Sequence, residues 1–418
     1  MERRLLILGA GRHQRDLIAR AEQRGLRVVA CDYYPDSPGK AIASYAENVD
    51  ATAIEDNIRI ARKYGVSGVI TSGTDMPLVA MAEVAAALEL PCYLTPRSAR
   101  MATHKATMAA AFAAHGLPRA PWHEVASADE AQDAAQRLGY PVVVKPADSQ
   151  GQRGTRKVRS SDALAGAVRE AMDNSRARRV LVERFLQGWE ITANAWAQEG
   201  DVRVQMITDR VTYNPEPAIG ICFQHVYPSL RAAGLAPRIR ALLRDIARCY
   251  GVTEAPLYVQ MLICGNEIFI VEAACRVGGG HESSLTRIAT GVDVLDRLID
   301  LALTGRCARI PEVHDERGAH GHALVNFLLA RPGRVERLEG YADLRAAGRV
   351  EEGDFYIREG HECRPIVDGQ GRIGYFIVRA QSREQLLARA AQTYAALGAR
   401  SRDGANLLFV PPPEQLLG

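Results

Sequence analysis

The sequence predicts a mixed α/β and α+β protein built as three pieces in series, and three features point there. The first hundred residues alternate short apolar runs with amphipathic stretches, the middle of the chain turns to strand-like alternation, and a third α/β block follows Pro311. At about 100 to 200 residues per domain, 418 residues suggest two to four domains. A composition of 47% hydrophobic and 24% charged residues excludes wholesale disorder and fibrous repeats.

Taken in order, apolar runs at 5–8, 28–31 and 68–71 alternate with amphipathic stretches at 12–24, 55–64 and 77–89. This is the βαβ pattern of a parallel sheet with helices on both faces, and a turn-rich segment at 91–97 closes it. Helices are expected over 102–115 and 128–138, then a strand over 142–145. That strand and a second at 155–158 flank a polar, glycine-bearing turn, which reads as a β-hairpin with a mobile tip. Further strands are expected at 179–185, 190–197, 203–208, 257–264 and 267–272, and helices at 237–250 and 292–304. The third block should hold strands near 320–329 and 373–379 and a helix over 383–397. No internal repeat or low-complexity stretch interrupts this order.

Lys plus Arg number 52 against 49 for Asp plus Glu, a net charge of +3 that gives little reason to expect a nucleic acid partner. The densest basic spot, Arg176, Arg178 and Arg179, reads as a solvated helix end more readily than as a phosphate patch. Eight cysteines lie singly, without CxxC or zinc-finger spacing, which suits reduced thiols in the cytoplasm. The run at 5–8 is too short for a signal peptide, and nothing approaches the ~18 apolar residues of a membrane helix.

Four constellations could carry chemistry. Gly9-Ala10-Gly11-Arg12-His13-Gln14 follows a strand, opens a helix and precedes Asp32 by about 20 residues, as a dinucleotide turn would. Gln14 replaces the third glycine, which favours a structural turn or a small-substrate contact. Lys105 and Lys145, with Asp148, Gly151 and Gly154 in the hairpin, could neutralise phosphates while glycine amides cover them. Glu183, Arg184, Phe185, Leu186 and Glu190 form a strand running into a linker, able to read an adenine edge and accept from ribose hydroxyls; exposed glutamates in a strand-turn-strand are the alternative. Gln260 and Glu272, placed side by side on antiparallel strands, would offer oxygen ligands to Mg2+, with Arg276 and the Gly278-Gly279-Gly280 run beside a transferring phosphoryl group.

In this order these pieces resemble the ATP-grasp superfamily, specifically the carboxylate-amine ligase branch that includes L-amino acid ligases. The resemblance spans nearly the whole chain. It rests on His104-Lys105, Lys145-Pro146 with its glycine hairpin, Glu183, Arg184, Phe185 and Leu186 with Glu190, and Glu272 with Arg276. It implies a Rossmann-like domain at 1–100, an ATP-grasp domain at 101–310 with a lid at about 122–186, and a C-terminal α+β domain at 311–418. ATP would be held by Lys105, Lys145, Asp148, Gly151, Gly154, Glu183, Arg184, Phe185 and Leu186, its ribose by Glu190, and Mg2+ by Glu272 and Gln260. Arg276 would stabilise an acyl phosphate and the tetrahedral intermediate that follows.

Asp209-Arg210 and His225-Val226-Tyr227-Pro228-Ser229 look like the branch's substrate loop, which makes His225 a substrate contact or an ordinary buried histidine. The chain departs from the family at Gln260, where many members have Glu or Asp, and at Ala274, where many have Asn. Arg153, Arg156 and Lys157 give its hairpin unusual charge. The implied reaction joins a small carboxylate, amino acids foremost, to an amine with release of ADP and phosphate, in a protein for which dimerisation is a family expectation. Other readings are an ATP-dependent carboxylase or kinase-like phosphotransferase, an ATP-binding sensor or assembly subunit with a weakened metal site, and a nicotinamide oxidoreductase built on Gly9 to Gln14.

Overall fold

The computed structural model describes residues 2–313, 318, 321–413 and 416–417. At the N-terminus, strands Arg4–Leu8, Arg27–Cys31, Tyr45–Glu47 and Gly68–Ile70 form a parallel sheet with Arg4–Leu8 and Arg27–Cys31 central. Leu5, Leu6, Ile7 and Leu8 are all fully buried, which explains their unbroken apolar run: a parallel strand covered on both faces has no solvent side to alternate toward. Helix Val294–Thr304, far away in sequence, packs on this sheet. It approaches so closely that a Cβ at Gly68 would lie 2.4 Å from the Ala302 carbonyl oxygen.

The expected helix over 102–115 is two helices, Pro96–Thr103 and Lys105–Ala114, broken at His104. His104 is extended (φ −97°, ψ 112°) and serves as C-cap of one and N-cap of the next. The break puts Lys105 in a first turn, and its backbone N–H donates to the Ala147 carbonyl at 3.2 Å, just before the hairpin.

A small antiparallel sheet follows, ordered Trp122–Val125, Val180–Arg184, Val142–Pro146, Arg156–Val158. Helices Ala128–Leu138 and Ser161–Asp173 cover it, burying Val142, Val144, Val180 and Val182. Each such side chain stabilises the fold by roughly 1.5–3 kcal/mol, so this unit has a core of its own. Helix Ser161–Asp173 escapes the sequence reading although Leu164, Ala167, Val168 and Ala171 have helical spacing, because strand patterns dominate around it.

The largest sheet has nine strands. Its main path runs Glu267–Ala274, Ala255–Cys264, Trp189–Gln198, Asp201–Tyr213, Ile221–Tyr227, His322–Leu329, Arg372–Ala380, Glu352–Phe355, and Leu416–Leu417 pairs beside Asp201–Tyr213. Strands from either side of Pro311 therefore share one antiparallel sheet. Ile221–Tyr227, the strand that makes this junction, is a further element absent from the sequence reading. Among the described residues, no helix is long and apolar enough to cross a membrane.

Candidate active site

The small sheet faces the large one across a cavity of about 290 Å³, just below the usual size of ligand pockets. Lys145, Glu183, Arg184, Phe185, Leu186 and Glu190 line it with Gln260, so these sequence candidates converge. Hairpin residues Gln152, Thr155 and Lys157 form one wall, and Leu262, Phe269 and Ile270 of the large sheet form another. Lys157 Nζ sits 3.8 Å from the Phe185 ring centroid, and burial lowers its pKa.

Lys105, Asp148, Gly151, Gly154, Glu272, Arg276 and His225 lie outside this lining. Lys105 Nζ donates to the Ser149 carbonyl at the base of the hairpin. Asp148, expected to help hold phosphate, accepts from the backbone N–H groups of Arg176 (3.2 Å) and Ala177 (3.0 Å) and fixes the turn before strand Val180–Arg184. Gly151 and Gly154 adopt φ of 67° and 65°, a left-handed conformation that suits glycine. The hairpin tip is anchored: Gly151 O accepts from Gly369 N at 2.9 Å, and Gln150 Oε1 accepts from Thr74 Oγ1 at 3.0 Å.

Glu183 is buried and uses both carboxylate oxygens, one toward Arg119 and the other toward Lys145 Nζ at 2.6 Å. Burial pushes its carboxyl up, but Arg119 and Lys145 prevail and hold it at about 2. Burial lowers the Lys145 ammonium despite Glu183. Arg119, absent from the sequence candidates, keeps two buried guanidinium nitrogens without a partner among the described residues while lining the cavity.

On the large sheet Gln260 pairs directly with Glu272 on one side and Thr192 on the other, so all three share a face, as does Glu190 two residues from Thr192. Glu190 Oε2 takes Arg210 and the Gln260 amide (2.6 Å). Glu272 is half-buried and makes no hydrogen bond or ion pair among the described residues. Two residues beyond Ala274, Arg276 forms a buried bidentate pair with Asp75, at 2.5 and 3.0 Å, from the N-terminal unit.

The N-terminal turn is held by its own side chains. Asp32 Oδ2 accepts from Ala10 N at 2.8 Å, and the buried Gln14 side chain packs under Gly9 and donates to Ser72 O at 2.6 Å. Asp32 caps its own turn, and the ATP-dependent ligases to which the chain is similar replace the oxidoreductase reading.

Comparison with known proteins agrees with this geometry. Residues 104–214 match the family model "Carbamoyl-phosphate synthase L chain, ATP binding domain", and residues 326–400 match "L-amino acid ligase C-terminal domain 2". The formate-dependent phosphoribosylglycinamide formyltransferase of Bordetella parapertussis is 32% identical over 418 residues, covering 95% of each chain. The chain belongs to the ATP-grasp family of ATP-dependent ligases.

Solved structures share this ATP-grasp fold. The L-amino acid ligase of Bacillus licheniformis superposes with a TM-score of 0.79 at 20% identity, covering 95% of this chain and 98% of that one. The biotin carboxylase domain of Hydrogenobacter thermophilus 2-oxoglutarate carboxylase, solved with MgADP and bicarbonate, gives 0.74 at 18% identity, covering 95% and 90%.

His225 of this ligase is buried rather than set on the cavity wall. Its Nδ1 lies 3.0 Å from Glu282 Oε1 and its Nε2 lies 3.1 Å from Cys222 Sγ. Burial keeps the imidazole far below its usual pKa. Glu282, absent from the sequence candidates, also accepts from Asn194 Nδ2 at 2.8 Å. Burial pushes its carboxyl up to about 7, against the hydrogen bonds from Asn194 and Thr192. A carboxyl raised on folding holds its proton in the native state while the unfolded chain loses it. Its stabilising contribution is therefore present below pH 4.5 and lost as pH rises toward about 7. Unfolding free energies from urea titration should show this fall, and Glu282→Gln should flatten it, with a variant more stable than the parent by on the order of 2–3 kcal/mol at about pH 8.

Proposed function

We propose that this ATP-grasp enzyme uses ATP to phosphorylate a small carboxylate, and that an amine then attacks the acyl phosphate to give an amide, ADP and phosphate. The observation that carries this reading is the row Glu272, Gln260, Glu190 and Arg210 on one face of the large sheet, which leads from the cavity toward Arg276. A cavity walled by Phe185, Leu186 and Phe269 suits a nucleobase, and Lys145 suits its phosphates. Glu190 retains Oε1 for ribose, since Oε2 already serves Arg210 and Gln260.

The oxygen donors fit magnesium. Glu272 is unpaired among the described residues and stands opposite Gln260, whose amide oxygen accepts no hydrogen bond there. No group of three or more His, Cys, Asp or Glu is placed to hold a metal among the described residues. Two protein oxygens completed by phosphate and water match the preference of Mg2+, which when bound would neutralise phosphate charge. Arg276 would stand over the developing oxyanion, and the anchored hairpin would keep water from the acyl phosphate. All eight cysteines are free, which suits a reducing compartment such as the cytoplasm.

ADP release with ATP and Mg2+ tests the reading, with three additions: pooled amino acids and small carboxylates, formate with phosphoribosylglycinamide, or nothing. The second addition follows from the relative that is 32% identical. Release should require an addition, and Glu272→Ala should lower kcat about 100-fold or more. ATP binding without release under any addition would sink the ligase reading in favour of a nucleotide sensor.

A further inference from the structure

The glycine hairpin and the strand that leaves it carry four cations, Arg153, Arg156, Lys157 and Arg159. Three are accounted for on the spot. Arg153 Nε donates to Gln150 O at 3.2 Å, Arg156 pairs with Glu170 and reaches Val367 O, and Arg159 pairs with Glu216. Of the four, only Lys157 turns its ammonium over an aromatic ring, that of Phe185. Among the described residues it has neither a carboxylate within ion-pair distance nor a side-chain hydrogen bond.

Backbone register explains where this side chain points. Strand Arg156–Val158 lies beside Val142–Pro146, which lies beside Val180–Arg184, and Val143 stands opposite both Lys157 and Glu183. These three side chains form one row on the cavity face, whereas Arg156, one residue earlier, lines a groove on the other face. The strand is fixed on its outer side as well, because Lys157 N donates to Pro217 O at 3.0 Å. To reach Phe185, just past the end of Val180–Arg184, the lysine stem crosses the strand that carries Val143. It thereby covers the middle of the surface that the small sheet presents across the cavity to Leu262, Phe269 and Ile270. Lys145 sits two residues nearer the glycine turn than Val143, so the phosphate end of the cavity and the Lys157 end are distinct.

A half-buried ammonium whose partner is a ring face keeps N–H donors unused, and holding them away from water without acceptors is costly. A nucleobase inserted between Val143 and Phe269 supplies ring-nitrogen acceptors and a second π face at that place. We infer that Lys157 is a base-recognition residue, contacting the nucleobase of ATP from the side of the small sheet rather than serving as a further phosphate cation. This rests on the assignment of the cavity to ATP in the reading above.

Competition against a ribose-labelled, non-hydrolysable ATP analogue tests the role by binding alone. Lys157→Met keeps the stem and removes the charge, and it should weaken the analogue about 10-fold, as expected for one desolvated cation–π or charge-assisted contact. Lys157→Arg should stay within about threefold of the parent, since it keeps a cation able to stack. ADP, AMP and adenosine should all lose the same factor in Lys157→Met, because each retains the base. A loss that shrinks as phosphates are removed makes Lys157 a phosphate contact and overturns the inference, and so does unchanged affinity in Lys157→Met. Urea midpoints separate binding from folding: Lys157 has no ion pair to break, so Lys157→Met should keep the parent midpoint. A lowered midpoint with equal binding losses in Lys157→Met and Lys157→Arg would make the residue structural and overturn its role in base recognition. ADP release judges the ligase reading separately. Weaker base binding in Lys157→Met with no release from the parent under any addition removes the ligase reading and leaves Lys157 in its role, whereas release by the parent with unchanged binding in that variant does the reverse.

Discussion

Glu183→Gln is expected to destabilise the protein by about 3–5 kcal/mol, the scale of breaking a buried ion pair by removing one partner. Glu183 is the single carboxylate between Arg119 and Lys145, and all three side chains are at most 10% exposed. The neutral amide would leave two buried cations facing each other without compensation, and Arg119 already has two nitrogens unpartnered among the described residues. Combining Glu183→Gln with Arg119→Met should recover a good part of the loss, which a double-mutant cycle in urea would measure. Additive losses would mean that the triad is not coupled. The acid limb gives an independent check: a carboxyl lowered from 4.5 to about 2 contributes stability above pH 4.5 and loses it as pH falls toward 2. The variant should lack that component. It should also bind ATP more weakly, since Lys145 would no longer be held against the cavity wall.

Arg276→Ala should lower kcat by about 100- to 1000-fold if its guanidinium stabilises the developing oxyanion. Its present partner complicates that role. Asp75 takes the Arg276 fork in a buried bidentate pair, and this carboxylate keeps the guanidinium charged against the cost of burial. Asp75→Ala should therefore destabilise the protein by about 3–5 kcal/mol and loosen the N-terminal unit from the large sheet. The double variant separates the two roles: Asp75→Ala with Arg276→Met should regain stability in urea while turnover stays low. Near-parent turnover in that double variant would make the arginine a clasp between units and not a catalytic group.

Much of this architecture is legible along the chain because each element carries its own period. The 5–8 run, the 142–145 and 155–158 hairpin, and the paired strands at 257–264 and 267–272 announce themselves through short-range pattern, and the hairpin register brings Gln260 opposite Glu272 as anticipated. The break at His104 was hidden, since Ala-rich sequence on both sides favours helix and the extended residue carries no proline or glycine to mark it. Strand Ile221–Tyr227 was hidden by half-buried Gln224 and buried His225, polar residues whose placement makes sense only once Asn326 on a neighbouring strand and Glu282 on a helix supply partners.

The site divides the same way. Lys145, Glu183, Phe185, Leu186, Glu190 and Gln260 could be named from order and spacing, because the strands that bear them are contiguous pieces of chain. What each side chain does was decided by groups far away in sequence. Glu183 proves to be the anchor of a triad through Arg119, 64 residues away; Arg276 is held by Asp75, 201 residues away; and Asp148 caps a turn 28 residues on. Hydrogen bonds and Coulomb contacts act over a few ångströms of space and are indifferent to separation along the chain, so they leave no periodic trace. Sequence alone determined most of the order of elements and the family they resemble. Only the tertiary structure decided which charges are matched, as at Glu183 between Arg119 and Lys145 and at Arg276 with Asp75.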